Sequence, residues 1–166
     1  MIRTIQPGDA PAIREICETA LGHPASVELL TKRISELSGD PHYYLSVYED
    51  NDKQVKGFLH AEKYELLYGG RGWNIIALAI LPDSQGQGFG GQLLSSFEVH
   101  CRACGSGFIR LNTRMERKGA HLFYERLGYT CDKVQKRFIK QIKSDGTVCP
   151  PEERSRLRIS GSAPKS

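Results

Sequence analysis

A glycine-rich stretch, Gly86 to Gly91, is the part of the sequence whose residue types and spacing indicate chemistry most directly. It carries four glycines within six residues, after the apolar run Trp73 to Leu81 and before an amphipathic helical pattern. Glycines at a strand-to-helix turn let the backbone approach a ligand closely. The free N–H groups at the start of the helix, together with the helix dipole, favour an anion there. The stretch therefore predicts a site for a phosphate or pyrophosphate group.

Two common nucleotide-binding motifs fit this stretch poorly. A P-loop needs a lysine and then Ser or Thr directly after its glycines, and no lysine follows directly after Gly91. The dinucleotide pattern Gly-x-Gly-x-x-Gly is met by Gly86 to Gly91, but it also needs an acidic residue at the end of the next strand. That strand ends in Arg110 to Thr113, without an acid. A dinucleotide oxidoreductase stays as an alternative that binding of a nicotinamide cofactor would support.

Two segments of the chain together resemble one known family. Gln85 to Gly90 reads Gln-Gly-Gln-Gly-Phe-Gly, and Ala120 to Tyr129 reads Ala-His-Leu-Phe-Tyr-Glu-Arg-Leu-Gly-Tyr. The first resembles the signature Arg/Gln-x-x-Gly-x-Gly/Ala of the GNAT superfamily of N-acetyltransferases. The second is similar to the family's element Ala-x-x-Phe/Leu-Tyr-x-x-x-Gly-Phe/Tyr. With the order of the predicted elements, the resemblance covers about residues 1 to 142.

The resemblance implies acetyl-CoA as cosubstrate, held in a V between two parallel strands that splay apart. Backbone groups of the strand Ala77 to Leu81 are expected to contact the pantetheine arm, with Ile80 and Leu81 as the best positions. Asn112 and Arg117 are further expected contacts to the cofactor. No metal is implied. The expected pyrophosphate-binding residues are Gln85, Gly86, Gln87, Gly88, Phe89 and Gly90.

The same resemblance implies direct transfer of the acetyl group to a primary amine. Tyr124 matches the tyrosine that protonates the departing thiolate and also contacts the cofactor, since a phenol can act as the acid. Asn74 falls where some members carry a glutamate base; an amide can hydrogen-bond an amine or a water but cannot take its proton. Glu62, Glu65 and His60 are candidate bases by location, and a water chain is the alternative. A backbone N–H near Leu78 to Ile80 is expected to stabilise the oxyanion.

The elements that must position these residues read as one α/β (α+β) domain. Periodicity and turn signals predict the order β-α-α-β-β-β-α-β-α-β-β, with Asp9 and Ser26 as helix N-caps. We expect a mixed, mostly antiparallel central sheet of about seven strands with a splayed parallel pair, and about four helices. The domain is expected to span residues 1–143, followed by a polar basic tail at residues 144–166.

A small-molecule primary amine is the preferred acceptor, ahead of a peptide or protein amine. We expect its site to be built from the first two helices together with the regions Glu62 to Gly72 and Asn112 to Lys118. A non-catalytic acyl-CoA-binding or regulatory module is the alternative from another class, and a homodimer is possible. The expected aromatic walls, which are alternatively core residues, are Tyr43, Tyr44, Tyr64, Tyr68 and Trp73.

Composition indicates the cellular compartment of the protein and the kinds of partner that it is expected to lack. The chain has 166 residues with a formal net charge of +4, and no basic stripe interleaved with aromatics indicates a nucleic-acid partner. Neither a signal-peptide-like segment nor an apolar run of transmembrane length is visible, and five cysteines stand at scattered spacings. We therefore expect a cytoplasmic protein with no membrane partner. Cys101-x-x-Cys104 lies in a helical pattern without a second zinc-spaced pair, so we expect both thiols to pack on one helix face.

Overall fold

The computed structural model describes residues 1–142, in which a five-stranded sheet carries four α-helices. The chain forms two units, Met1–Thr130 and a second one beginning at Cys131. In the second unit the described residues, 131–142, form no helix or strand. The strands are β1 (Ile2–Thr4), β2 (Tyr43–Glu49), β3 (Val55–Glu65), β4 (Arg71–Ile80) and β5 (Phe108–Leu111). The helices are α1 (Ala10–Leu21), α2 (Val27–Leu37), α3 (Phe89–Ala103) and α4 (Lys118–Arg126).

The strands lie in the sheet in chain order, and only the last pair is parallel. β1 to β4 pair antiparallel through hairpins or the α1–α2 connection, whereas α3 connects β4 to the parallel strand β5. A β-bulge interrupts the β3–β4 register, because His60 faces Ala77 while Ala61 faces Ile75. Ile76 is the extra residue, and the bulge bends β4 at this point. The mixed, mostly antiparallel sheet with one parallel pair confirms the expected fold class.

Each face of the sheet is covered by its own hydrophobic layer. α1 and α2 cover one face with a core that includes Ile13, Ile16, Ile34, Val47, Phe58 and Ala79. α3 and α4 cover the other face with a core that includes Leu59, Trp73, Ile75, Leu93, Leu94 and Phe97. Because side chains alternate along a strand, neighbouring residues of β3 and β4 point into different layers. The sheet therefore presents two chemically separate surfaces.

The helix boundaries follow from local signals. The side chain of Ser26 accepts a hydrogen bond from the N–H of Leu29 at 3.2 Å, which confirms the predicted N-cap of α2. Gly22 ends α1 in the left-handed conformation with φ +67°. Asp9 precedes α1, but its carboxylate does not cap that helix. It accepts instead from the N–H of Gln6 and from Arg3, because a guanidinium lies within reach.

The number of strands is smaller than expected from the sequence. Two strands were expected after α4, one at Gly128-Tyr129 and one through Val134, Phe138 and Ile142, yet no strand follows Leu111 in the described residues. The ring of Tyr129 packs 5.6 Å from that of Tyr124, so this residue completes the end of α4. Alternating apolar residues predict that one face of a strand would be buried, but they do not provide a neighbouring strand with which to form hydrogen bonds. The basic tail expected at residues 144–166 lies outside the described residues.

A buried ion-pair cluster ties the N-terminus to the sheet. Arg3 donates to both carboxylate oxygens of Asp9 at 2.8 Å and, through Nε, to Glu49 at 2.7 Å. Burial alone would raise the pKa of Asp9, but the hydrogen bonds from Arg3 and from the N–H of Gln6 lower that pKa. The hydrogen bond from Arg3 likewise lowers the pKa of Glu49. Both carboxylates therefore stay charged at neutral pH beside Arg3, and Glu49 is paired with Lys53 as well, at 3.4 Å.

Replacing Arg3 should make folding stability less dependent on acid. Carboxyl groups with lowered pKa values stabilise the fold above their unfolded values of 3.8 and 4.5, and this stability is lost as pH falls through the folded values. Arg3→Met should lower the melting temperature by several degrees at pH 7, with a smaller difference at pH 3. Thermal unfolding between these pH values measures it, and Arg14→Met, which removes an exposed pair with Glu18, is the control. A constant difference at every pH would contradict this assignment.

Candidate active site

The sheet opens into a fork between β4 and β5. Pairing of the two strands runs only from Gly72–Phe108 to Ile75–Leu111, while β4 continues to Ile80 alongside β3. The bulge residue Ile76 stands at the opening and is 48% exposed. Past this point the edge of β4 that faced β5 has no strand partner in the described residues. Its backbone N–H and C=O groups are therefore available to an extended ligand.

The glycine-rich loop lies at the far end of β4. Gly86 and Gly88 adopt φ values of +77° and +82°, which a residue with a Cβ adopts only under strain. The N–H groups of residues 86–90 donate to no acceptor in the described residues. No atom would lie within 4 Å of a Cβ at either glycine, so the space in front of the loop is open. This arrangement suits a phosphate or pyrophosphate group.

The glutamine side chains of the loop hold it in place. Gln85 donates through Nε2 to the carbonyl of Ile80 at 3.2 Å, and Gln87 donates to the carbonyl of Asp83 at 3.4 Å. The ring of Phe89 stacks on Tyr48 at 4.1 Å between centroids, which fixes the start of α3 against β2. These three side chains thus position the loop, while the N–H groups of Gln87 and Phe89 are left for a ligand.

α4 closes the fork on the α3 side of the sheet. A Cβ at Gly90 would lie 3.4 Å from the ring of Phe123 and 3.6 Å from Ile80, so α3, α4 and β4 meet closely there. The half-buried ring of Tyr124 packs between Phe123 and Tyr129 at 5.1 and 5.6 Å. Its hydroxyl makes no hydrogen bond within the described residues, whereas the hydroxyl of Tyr129 donates to Glu98 at 3.2 Å.

Burial sets the protonation state of Tyr124. Desolvation raises its pKa, and the positive charge of Arg117 opposes the shift. The phenol is therefore protonated at neutral pH and has its proton available. A protonated group with no partner in a half-buried site is suited to donate to a ligand atom.

The opposite face of the sheet carries polar side chains next to the bulge. Asn74 donates through Nδ2 to the carboxylate of Glu62 at 3.0 Å, and the two residues face each other across β3 and β4. β4 thus has an amide and no carboxylate at Asn74, but β3 supplies the carboxylate of Glu62 next to it. Glu65 lies farther along β3 and pairs with exposed Arg71 at 3.6 Å. Glu62 is therefore the candidate base that the structure brings to the fork.

His60 lies on the same face as Glu62 but is more enclosed. Its Nε2 is buried and has no hydrogen-bond partner within the described residues. Burial lowers its pKa, and the charge of Glu62 opposes the shift. The imidazole ring stands 5.9 Å from the ring of Tyr43. A neutral imidazole next to Glu62 can accept a hydrogen bond from a water or an amine.

The segment between β5 and α4 places the remaining predicted residues. Arg117 donates through Nη2 to the carbonyl of Ala20 at the end of α1, at 3.2 Å. Asn112 accepts from Arg110 at 3.4 Å. His121 lies 3.0 Å from the carbonyl of Arg114, so it fixes the loop before α4. Arg117 thereby links the start of α4 to the end of α1.

The predicted aromatic walls divide between the two faces. Tyr43 and Tyr64 lie on the α1–α2 face, where their rings contact His60 and Phe108 respectively. Trp73, 2% exposed, and Tyr44 belong to the α3 layer, where both pack on Phe97. Tyr68 lies in the β3–β4 turn and is exposed. Trp73 and Tyr44 are thus core residues, because strand alternation points them away from the α1–α2 face.

The two cysteines of Cys101-x-x-Cys104 have different environments. Cys101 is buried in the α3 layer, where desolvation raises the pKa of its thiol to about 12, whereas Cys104 is exposed. The expectation that both pack on one face is therefore wrong for Cys104, since α3 ends at Ala103. The described part of the chain contains no group of three or more residues that could hold a metal ion. None of its helices is long and apolar enough to cross a membrane.

One charged residue of the site was absent from the sequence prediction. Arg110 lies in β5, and its guanidinium stands 4.6 Å from the centre of the Tyr64 ring. The available signal was its place in Phe-Ile-Arg-Leu, a strand in which one charged residue stands among apolar ones. A charge at such a position indicates that this part of the strand face is only partly buried, as it is at Arg110.

Comparison with known proteins agrees with this geometry. A model of the acetyltransferase (GNAT) family matches residues 10–129, which include the fork, the glycine-rich loop and α4. The chain belongs to the GNAT family of acetyltransferases. It is thus an acyltransferase enzyme, and the family uses acetyl-CoA as cosubstrate. The family resemblance expected from the two sequence motifs is confirmed.

Individual relatives are more distant. An aminoalkylphosphonate N-acetyltransferase of Salmonella typhimurium is 42% identical over 52 residues, which are 31% of this chain and 34% of that protein. Among solved structures, a transcriptional regulator from Bacillus halodurans has a TM-score of 0.73 at 23% identity, covering 84% of this chain and 99% of that chain. The aminoglycoside antibiotic 6'-N-acetyltransferase AAC(6')-Ih from Acinetobacter baumannii has a TM-score of 0.72 at 16% identity, covering 86% and 99% respectively. At these identities the structures support the fold alone.

Proposed function

We propose that this GNAT enzyme transfers the acetyl group of acetyl-CoA directly to the primary amine of a small molecule. The observation that carries the proposal is the forked β4–β5 pair with a loop of unpaired N–H groups at its end. An extended thioester lying along the free edge of β4 would bring its pyrophosphate to the loop. Its reactive carbon would then lie at the bulge, between the two faces of the sheet.

Cofactor binding is assigned to backbone groups. The free edge of β4 up to Ile80 would hydrogen-bond the pantetheine amides, and the N–H groups of residues 86–90 would hold the pyrophosphate. Leu81, the other position expected from the sequence, has its N–H donated to the carbonyl of Lys56 at 2.9 Å, so its backbone N–H is not free for the cofactor. Gln85 has its N–H bonded to Pro82 at 3.4 Å, so it contributes mainly by fixing the loop. Asn112 directly follows β5 and Arg117 directly precedes α4, and we assign both as further contacts to the cofactor arm.

The acceptor is assigned to the α1–α2 face, where Glu62 is available as the base. An ammonium must lose a proton before it can attack, and the half-buried carboxylate of Glu62 can pass that proton to solvent. Asn74 orients the carboxylate through its 3.0 Å hydrogen bond and leaves a lone pair free for the amine. Asn74 therefore positions the base and does not take a proton.

Tyr124 is assigned as the acid on the other face. Attack of the amine forms the new C–N bond, and the C–S bond breaks to release the thiolate. Tyr124 gives its proton to that sulfur, and the second proton of the attacking nitrogen restores the phenol. Burial favours the neutral phenol, and the charge of Arg117 stabilises the phenolate formed for a moment. The cysteines need take no part, because no acetyl group is passed to the protein.

A small acceptor is supported by the names of distant relatives. The Salmonella typhimurium relative is named for an aminoalkylphosphonate, and the Acinetobacter baumannii structure for an aminoglycoside. Both names describe amines smaller than a protein substrate.

We further assign the acetyltransferase domain to residues 1–143 and a basic tail to residues 144–166. We place the enzyme in the cytoplasm, in keeping with its scattered cysteines.

Thiol release from acetyl-CoA in the presence of a panel of primary amines tests the proposal. At least one small amine should raise the rate well above hydrolysis, and coenzyme A should bind the protein in a calorimetric titration. Gly88→Ala should weaken that binding roughly tenfold, because alanine at φ +82° is strained and shifts the loop. Gly91→Ala, where a Cβ meets open space, is the matched control. Binding of coenzyme A without acceleration by any small amine would contradict the proposal, and acceleration by peptide amines alone would reassign the acceptor.

Tyr124→Phe should lower kcat by about 100-fold and leave the affinity for coenzyme A within about twofold. The variant keeps the ring that packs between Phe123 and Tyr129 and removes the proton. Steady-state kinetics and a binding titration measure the two quantities. Tyr129→Phe, which removes the neighbouring hydroxyl, serves as the control and should keep kcat. Equal losses of kcat and of affinity in Tyr124→Phe would count against the acid role.

A further inference from the structure

Three polar side chains form one row across the acceptor face of the sheet. Glu62 of β3 faces Asn74 of β4, and Asn74 faces Arg110 of β5. Neighbouring strands are about 4.8 Å apart, so the Cα atoms of Glu62 and Arg110 are separated by about 10 Å. The row crosses the base of the fork, immediately before the bulge at Ile76. A carboxylate, an amide and a guanidinium thus stand side by side where the acceptor must lie.

The charges at the two ends of this row are not neutralised by the protein. Glu62 accepts from Asn74 and has no ion pair within the described residues. Arg110 contacts the ring of Tyr64 and the amide oxygen of Asn112, and no carboxylate of the described residues pairs with it. In contrast, nearby Arg71 is paired with Glu65. Two half-buried, opposite and separately unpaired charges are an arrangement that a ligand of complementary charges would satisfy.

The position of Arg110 is fixed by packing. A Cβ at Gly72 would lie 2.5 Å from the ring of Phe108, so the ring can cross β4 at this point only because the residue is glycine. Phe108 contacts the ring of Tyr64 edge-on at 6.1 Å, and Tyr64 in turn supports the guanidinium of Arg110 with its face. A guanidinium held on an aromatic face keeps its N–H edges free. These edges are the groups that bind a carboxylate or a phosphonate.

We propose that the Glu62–Asn74–Arg110 row selects, as acceptor, a short aminoalkyl compound that also carries an anionic group. The ammonium lies at Glu62, next to the thioester, and the carboxylate or phosphonate lies at Arg110. This inference rests on the proposed acetyl transfer and narrows its acceptor class. Arg110 acts on substrate affinity and orientation, and it takes no part in proton transfer.

Matched amines separate the anionic group from the amine itself. Glycine, β-alanine and γ-aminobutyrate are each compared with the corresponding uncharged amide, and aminoethylphosphonate is compared with ethanolamine. For the wild type, kcat/KM should be about tenfold or more higher for the best anionic amine than for its neutral counterpart. Arg110→Met should abolish this preference by lowering kcat/KM for the anionic amine and leaving that for the neutral amine within about twofold. Arg71→Met, which removes an exposed arginine at the start of the neighbouring strand β4, should keep the preference.

The outcomes distinguish this inference from the acetyltransferase proposal. Thiol release with equal or higher kcat/KM for the neutral amines overturns the acceptor class and leaves acetyl transfer standing. An equal loss for both kinds of amine in Arg110→Met also overturns it, because the residue then acts on folding or on the cofactor. Absence of thiol release with every amine overturns the acetyltransferase proposal. Calorimetric titration of the coenzyme A complex with β-alanine and aminoethylphosphonate still tests the row: binding lost in Arg110→Met supports it, and no binding by wild type contradicts it.

Discussion

The early end of the β4–β5 pairing is the constraint on which the site depends. The two strands share hydrogen bonds only as far as Ile75 and Leu111, because the bulge at Ile76 bends β4 and β5 stops after four residues. The backbone groups of β4 beyond that point would be costly to leave unpaired in a dry site. A ligand with amide groups can pair with them. The same strand then ends at the glycine-rich loop, so this one element would align both ends of the proposed cofactor.

The alternation of side chains along β4 separates the two halves of the proposed chemistry. Trp73, Ile75 and the layer below α3 and α4 hold Tyr124 on one side. Asn74 points to the other side, where it holds Glu62. A thioester lying in the edge between these faces would meet the base from one direction and the acid from the other. The proposed acid and the proposed base would thereby be kept apart on opposite faces of the sheet.

Much of this arrangement could be predicted because it depends on local sequence. The glycines at residues 86–91 and the helix that carries Tyr124 are fixed by short motifs, and each lies where the sequence indicated. The register in which β3 and β4 pair could not be predicted in this way. The run Asn74 to Ala79 gives no sign of a bulge at Ile76, yet that bulge decides which residue of β4 faces Glu62. The prediction of two further strands after α4 was wrong for a similar reason. An alternating apolar pattern does not identify the neighbouring strand with which a segment would have to pair. Arg110 was missed because its significance comes from Asn74 and Tyr64, which are distant in sequence.

The central claim is that the acetyl group passes directly from the cofactor to an amine at this fork. Acetyl-CoA with a deuterated acetyl group, incubated with the enzyme and an accepted amine, allows the label to be followed by mass spectrometry in the amine, in free acetate and on the protein. We expect the label in the N-acetylated amine, with none on any cysteine or other residue of the enzyme. Label retained on the protein in amounts that rise and fall with turnover, or recovered as free acetate, would contradict direct transfer.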